Sequence, residues 1–128
     1  VPASWTKGGY TALFVLESPE VRFDDVLKAT IAQKDTKLTI DKRFLEVYEP
    51  HSIEVCGCVP DRPVLVGAAV HGRKIHVQFA EQRPDKSVRL VLRLTGIRKG
   101  FRGHRFPSRT RRQFEANERF IRSAYPDE

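Results

Sequence analysis

The sequence predicts an α+β fold, a mostly antiparallel sheet of about five strands with two helices packed on one face. Three observations predict it. Residues 73–80 and 87–94 alternate apolar and polar with period two. Phe23, Val26, Leu27, Thr30 and Ile31 recur at helical spacing, and Phe114, Asn117, Ile121 and Ala124 do so again near the end of the chain. Proline, glycine and aspartate separate the segments between them.

Taken in order, residues 1–9 read as a loose N-terminal arm, with Pro2, Ser4, Gly8 and Gly9 and little periodicity. Tyr10 to Glu17 is a β-rich apolar run and reads as a central strand, ended by Ser18-Pro19. A helix is expected at about 19–34, with Ser18 or Asp24 as its N-cap. Strands follow from Leu38 onward. Leu45–Tyr48 and Ile53–Cys56 alternate around Pro50, and Pro60 and Pro63 mark a turn. Val64 to Val70 is apolar at both parities, which predicts a strand buried on both faces. His71-Gly72 is a two-residue hairpin signal. The strand 73–80 then points Ile75, Val77 and Phe79 inward, and the strand 87–94 points Val88, Leu90, Leu92 and Leu94 inward. The turn Arg83-Pro-Asp-Lys86 is expected to pair these two strands as a hairpin. A basic Gly/Arg/Phe loop at 96–109 leads into a C-terminal helix at about 111–124. Thr110 and Gln113 fit a capping box there, and Glu115→Arg119 and Glu118→Arg122 are i,i+4 pairs in the favourable order.

At 128 residues the chain is long enough for one domain, 1–128, with its own core. The formal net charge is +7, and its distribution is uneven. Ten lysines and arginines and no carboxylate lie between Lys86 and Phe114: Lys86, Arg89, Arg93, Arg98, Lys99, Arg102, Arg105, Arg109, Arg111 and Arg112. The other 99 residues hold 13 basic and 16 acidic side chains. Concentrated positive charge is the footprint of a polyanion partner. No apolar run is long enough to span a membrane, and no secretory signal opens the chain. The first residue is Val1 rather than Met, as expected of a processed form or a fragment. Cys56 and Cys58 lie too close for an unstrained disulfide, so both are read as reduced thiols and the location as intracellular, cytoplasmic or nuclear.

Five constellations could carry chemistry. In the hairpin register, Lys74 faces Arg93 and Gln78 faces Arg89, with His76 between, a like-charged face that an anion would relieve. In the loop, Arg98, Lys99, Arg102 and Arg105 offer phosphate contacts, while Phe101, His104 and Phe106 could stack on unpaired bases. At the start of the last helix, Arg109, Arg111 and Arg112 stand where the macrodipole disfavours cations and backbone N–H groups favour phosphate. Cys56 and Cys58 could join two of His51, His71, His76 and His104 around zinc, but no spacing matches a known ligand pattern, so the expectation is two small buried residues, no metal and no cofactor. Pro60-Asp61 with Glu81-Gln-Arg83 approaches the layout of metal-dependent nucleases, with Arg in place of the needed Lys. Gly100-Phe-Arg-Gly103 matches a KH-type GxxG loop in four letters only, flanked by a strand and Pro107 that do not suit that fold.

The stretch from Arg62-Pro-Val-Leu-Val-Gly67 to Arg98-Lys99 resembles the central strands of small RelE-like bacterial toxins over less than a third of the chain. The motif that follows those strands in that family is absent. The resemblance implies a compact basic ribonuclease with a sheet flanked by helices. The sequence thus predicts a small nucleic-acid-binding domain that uses its C-terminal third, with RNA or single-stranded DNA slightly ahead of duplex. The runner-up is a metal-independent ribonuclease of the RelE-like toxin kind, with His104 or His76 as general base beside the arginines. The third reading is a basic module that docks an acidic protein or an anionic membrane surface.

Overall fold

The computed structural model describes residues 1–11, 13, 18–80 and 86–123. The chain divides into two compact units, Glu20–Arg105, and Val1–Pro19 together with Phe106–Glu128.

The larger unit holds β1 (Arg22–Ile31), β2 (Asp35–Thr39), α1 (Lys42–Val47), β3 (Glu54–Pro60), β4 (Val66–His71), β5 (Lys74–Phe79) and β6 (Val88–Ile97). The strands form two three-stranded antiparallel sheets, ordered β1-β6-β3 and β2-β5-β4. Among the described residues, six strands in two sheets replace the expected single sheet of five. Ile75, Val77 and Phe79 from one central strand and Val88, Leu90, Leu92 and Leu94 from the other join Ile31 and Ile40 in one buried cluster. Each such side chain contributes roughly 1.5–3 kcal/mol on burial. Within this unit sheet therefore closes on sheet, and its helix α1 supplies no fully buried residue.

The helix expected at 19–34 is the strand β1. Its apolar residues satisfy a helical repeat, but Leu27, Ala29 and Ile31 also alternate, and pairing with the edge of β6 selects the strand. The expected strand at Leu45–Tyr48 is instead the end of α1 and the residue after it. Asp41 caps this short helix, accepting the Arg43 backbone N–H at 2.8 Å. The strand β4 is not buried on both faces, because Gly67, Ala69 and His71 are exposed. The hairpin at His71-Gly72 forms, with Gly72 at φ 63°. The β5–β6 hairpin does not: the two strands lie in different sheets. Residues 83–85 of its expected turn lie outside the described residues.

Tyr48 anchors α1 to the β1-β6-β3 sheet. Its ring lies 3.9 Å from that of Phe44 and 5.9 Å, edge on, from that of Phe23, measured between centroids. Gly96 on β6 makes room for it, since a Cβ there would sit 2.0 Å from Tyr48 Cδ1.

In the smaller unit, residues 1–11 close into a hydrogen-bonded loop that contains the residues read as an arm. Ala3 N–H donates to Gly9 O at 2.8 Å and Thr11 N–H to Val1 O at 2.9 Å. Most of the strand expected at 10–17 lies outside the described residues. The C-terminal helix α2 spans Arg111–Ser123. Its capping box is made: Gln113 N–H donates to Thr110 Oγ1 at 3.2 Å, and Thr110 N–H donates to Gln113 Oε1 at 2.8 Å.

Candidate nucleic-acid interface

Folding brings carboxylates from distant sequence to several of the clustered cations. Arg89, on the outer face of β6, pairs with Asp61 at 3.2 Å. Arg105 pairs with Glu20 at 2.7 Å, and Glu20 also takes Arg22 at 3.0 Å. The hydrogen bond from Arg22 and the two guanidinium charges hold the Glu20 carboxyl below its usual range. Arg102 lies 3.9 Å from Glu49 and donates to the Pro50 carbonyl. Glu49 is set in place by its turn. Its N–H donates to Ile97 O at 2.9 Å, and its carboxylate accepts the Gly100 N–H at 2.7 Å. Ser52 locks the same turn, donating to Glu49 O at 2.8 Å while accepting the Ile97 N–H at 3.1 Å. Arg111 pairs with Glu115 at 2.8 Å along α2, which takes Glu115 away from the expected Arg119. Glu118 and Arg122 approach to 3.9 Å, as the spacing predicts.

The remaining cations differ. Arg98 stacks over Phe23 and Phe101, 5.7 and 5.1 Å from the ring centroids. Arg93, Lys99, Arg109 and Arg112 are exposed and have no carboxylate partner among the described residues. Arg93 stands on the outer face of β6 between Val26 of β1 and Gly57 of β3. Lys99 lines a cavity of about 760 Å³ with Lys42, Glu46, Glu49, His51 and Arg73. Arg109 donates to the Ser108 carbonyl at 3.0 Å. Arg112 lies in the first turn of α2, which holds no acidic residue.

The aromatic residues divide as well. Phe101 is half-buried beneath Arg98. Phe106 is 75% exposed, with a left-handed backbone (φ 49°), and its N–H donates to Pro19 O at 2.8 Å. The His104 ring is exposed, 5.9 Å from that of Phe101.

Because β5 and β6 do not pair, Lys74 does not face Arg93, nor Gln78 Arg89. Lys74 and His76 lie on the outer face of the other sheet, beside His71 and Lys37. The 71–74 hairpin register carries the signal that His71 belongs with them. The partners Glu20, Glu49 and Asp61 leave no comparable local signal. Cys56 and Cys58 do not share a face, because a bulge between Val55 and Gly57 turns Cys56 outward, and Cys58 is half-buried, so neither is the buried residue expected. No three His, Cys, Asp or Glu side chains among the described residues group as metal ligands. Residues 81–83 of the nuclease-like layout lie outside the described residues. No helix among the described residues is long and apolar enough to cross a membrane.

Comparison with known proteins finds no matching family model, no matching curated protein and no matching solved structure.

Proposed function

We propose that this chain binds nucleic acid by phosphate neutralisation, with single-stranded RNA or DNA ahead of duplex. One observation carries the proposal: Arg93 and Lys99 on the larger unit, and Arg109 and Arg112 on the smaller, are exposed cations without a carboxylate partner among the described residues. The ion-paired arginines add reserve, because exposed pairs are weak and a phosphate can replace the carboxylate. Phe106 is 75% exposed, and exposed aromatic side chains are where unpaired bases stack. Four strands separate α1 from α2, so the two helices do not make the helix-turn-helix that reads duplex grooves.

Fluorescence titration of labelled oligonucleotides at several salt concentrations tests this. With about four phosphates neutralised, log K falls against log[salt] with a slope of about −2.8 to −3.6, the single-strand and duplex limits. Absence of binding at ~50 mM salt to single- and double-stranded DNA and RNA alike refutes it. The same RNA, incubated in EDTA and run on a gel, separates binding from cleavage. Intact RNA keeps the binding reading, whereas cleavage lost in His104→Ala replaces it with a metal-independent ribonuclease.

A further inference from the structure

We propose that the outer face of the β2-β5-β4 sheet is a second anion site, taking phosphate-type oxyanions on Lys37, His71, Lys74 and His76. It is independent of the 86–114 tract. The strand registers set Lys37 directly opposite His76, and Lys74 directly opposite His71. The two imidazoles lie diagonally across β4 and β5, with ring centroids 4.6 Å apart. Four cation-capable groups therefore occupy adjoining positions on three strands. Directly opposed like charges destabilise a sheet, so protonating an imidazole opposite its lysine is penalised here. An oxyanion lying over the four removes that penalty.

The surroundings fit such a ligand. Gly67 and Ala69 on β4 keep the floor low, and a side chain at 67 would meet nothing within 4 Å. The remaining charged group on this face of the three strands is Asp35, at its far end, where it accepts a hydrogen bond from Gln78 Nε2 at 2.9 Å. Arg73, in the β4–β5 turn, is exposed beside the cluster. Partial burial, then the charges of His71, Lys37 and Lys74, hold His76 below the usual histidine range. A bound anion reverses the balance at His76, so binding takes up a proton and tightens as pH falls.

The probes are sulfate and a short oligothymidylate, whose charges do not change between pH 5.5 and 7.5. The readout is the imidazole proton NMR signals of His71 and His76 in the full chain. Both signals shift saturably with sulfate, with affinity about fivefold or more higher at pH 5.5 than at pH 7.5. Lys37→Gln/Lys74→Gln abolishes the shifts while the core signals of Ile75 and Val77 stay in place, showing that the variant is folded. If oligothymidylate moves the same signals, the site takes backbone phosphates as well; if only sulfate does, it serves small oxyanions. Motionless imidazole signals, equal affinity at the two pH values, or full binding in the folded double variant each overturn the proposal. Loss of the salt-dependent binding assigned to the 86–114 tract leaves these signals unaffected, so the two proposals fail separately.

Discussion

At residue 96 a single hydrogen decides how α1 meets the sheet. The Tyr48 ring occupies the volume that a side chain at 96 would need, and the clash involves a ring packed between Phe23 and Phe44 rather than a flexible chain end. Gly96→Ala is therefore expected to cost about 1–3 kcal/mol, the usual range for overpacking a filled core, read as a drop in urea midpoint. Tyr48→Phe is the opposite case. The Tyr48 hydroxyl is buried without a hydrogen-bond partner in the described structure, and burial together with the charges of Asp24 and Asp25 pushes its ionisation upward. Removing it discards an unsatisfied polar group, so Tyr48→Phe should be neutral or stabilising by up to about 1 kcal/mol. Equal destabilisation by both variants would show that the hydroxyl has a partner and that the ring can shift.

Among the elements, α2 separates function from stability most cleanly. Arg111 is engaged by Glu115, whereas Arg112 is an exposed cation in a first turn without an acidic residue. Its place beside free N–H groups opposes the macrodipole and suits a phosphate. Arg112→Glu is expected to leave the melting temperature unchanged or raise it, by no more than about 0.3–1 kcal/mol in stability, while weakening oligonucleotide binding at ~50 mM salt. A lower melting temperature with binding retained would make Arg112 structural. The same scale shows what the sequence made legible. The inward faces of β5 and β6 follow from strict alternation of large apolar residues, and the capping box follows from a local spacing. The strand β1 was not legible, because Phe23, Val26, Leu27, Thr30 and Ile31 fit the helical period while Leu27, Ala29 and Ile31 fit the strand period, and the choice is made by β6, more than fifty residues away in sequence. The short α1 was hidden by alternation in Leu45–Tyr48. Sheet partnership is non-local in the same way: adjacent β5 and β6 look like a hairpin, yet each is the centre of its own sheet. The candidate site follows the same rule: its cations cluster locally in sequence, whereas their carboxylate partners come from afar, since Arg105 and Glu20 lie 85 residues apart.

At the scale of the larger unit, the packing of sheet on sheet makes one strand defect informative. The bulge in β3 leaves two cysteines, separated in sequence by Gly57 alone, in different environments. Cys56 is exposed, with its thiol against the Arg93 carbonyl at 3.4 Å, and Cys58 is half-buried at the edge of the core. Burial pushes the Cys58 thiol up, which disfavours the reactive thiolate. Under excess alkylating reagent at neutral pH, mass spectrometry should show one adduct at Cys56 well before a second at Cys58. The second step should accelerate under mild denaturant, as β3 parts from β6. Simultaneous modification would mean that the bulge does not hold in solution. The two thiols act as a chemical stopwatch, since the first adduct marks exposure to reagent and the delay before the second records how long the closed edge survives.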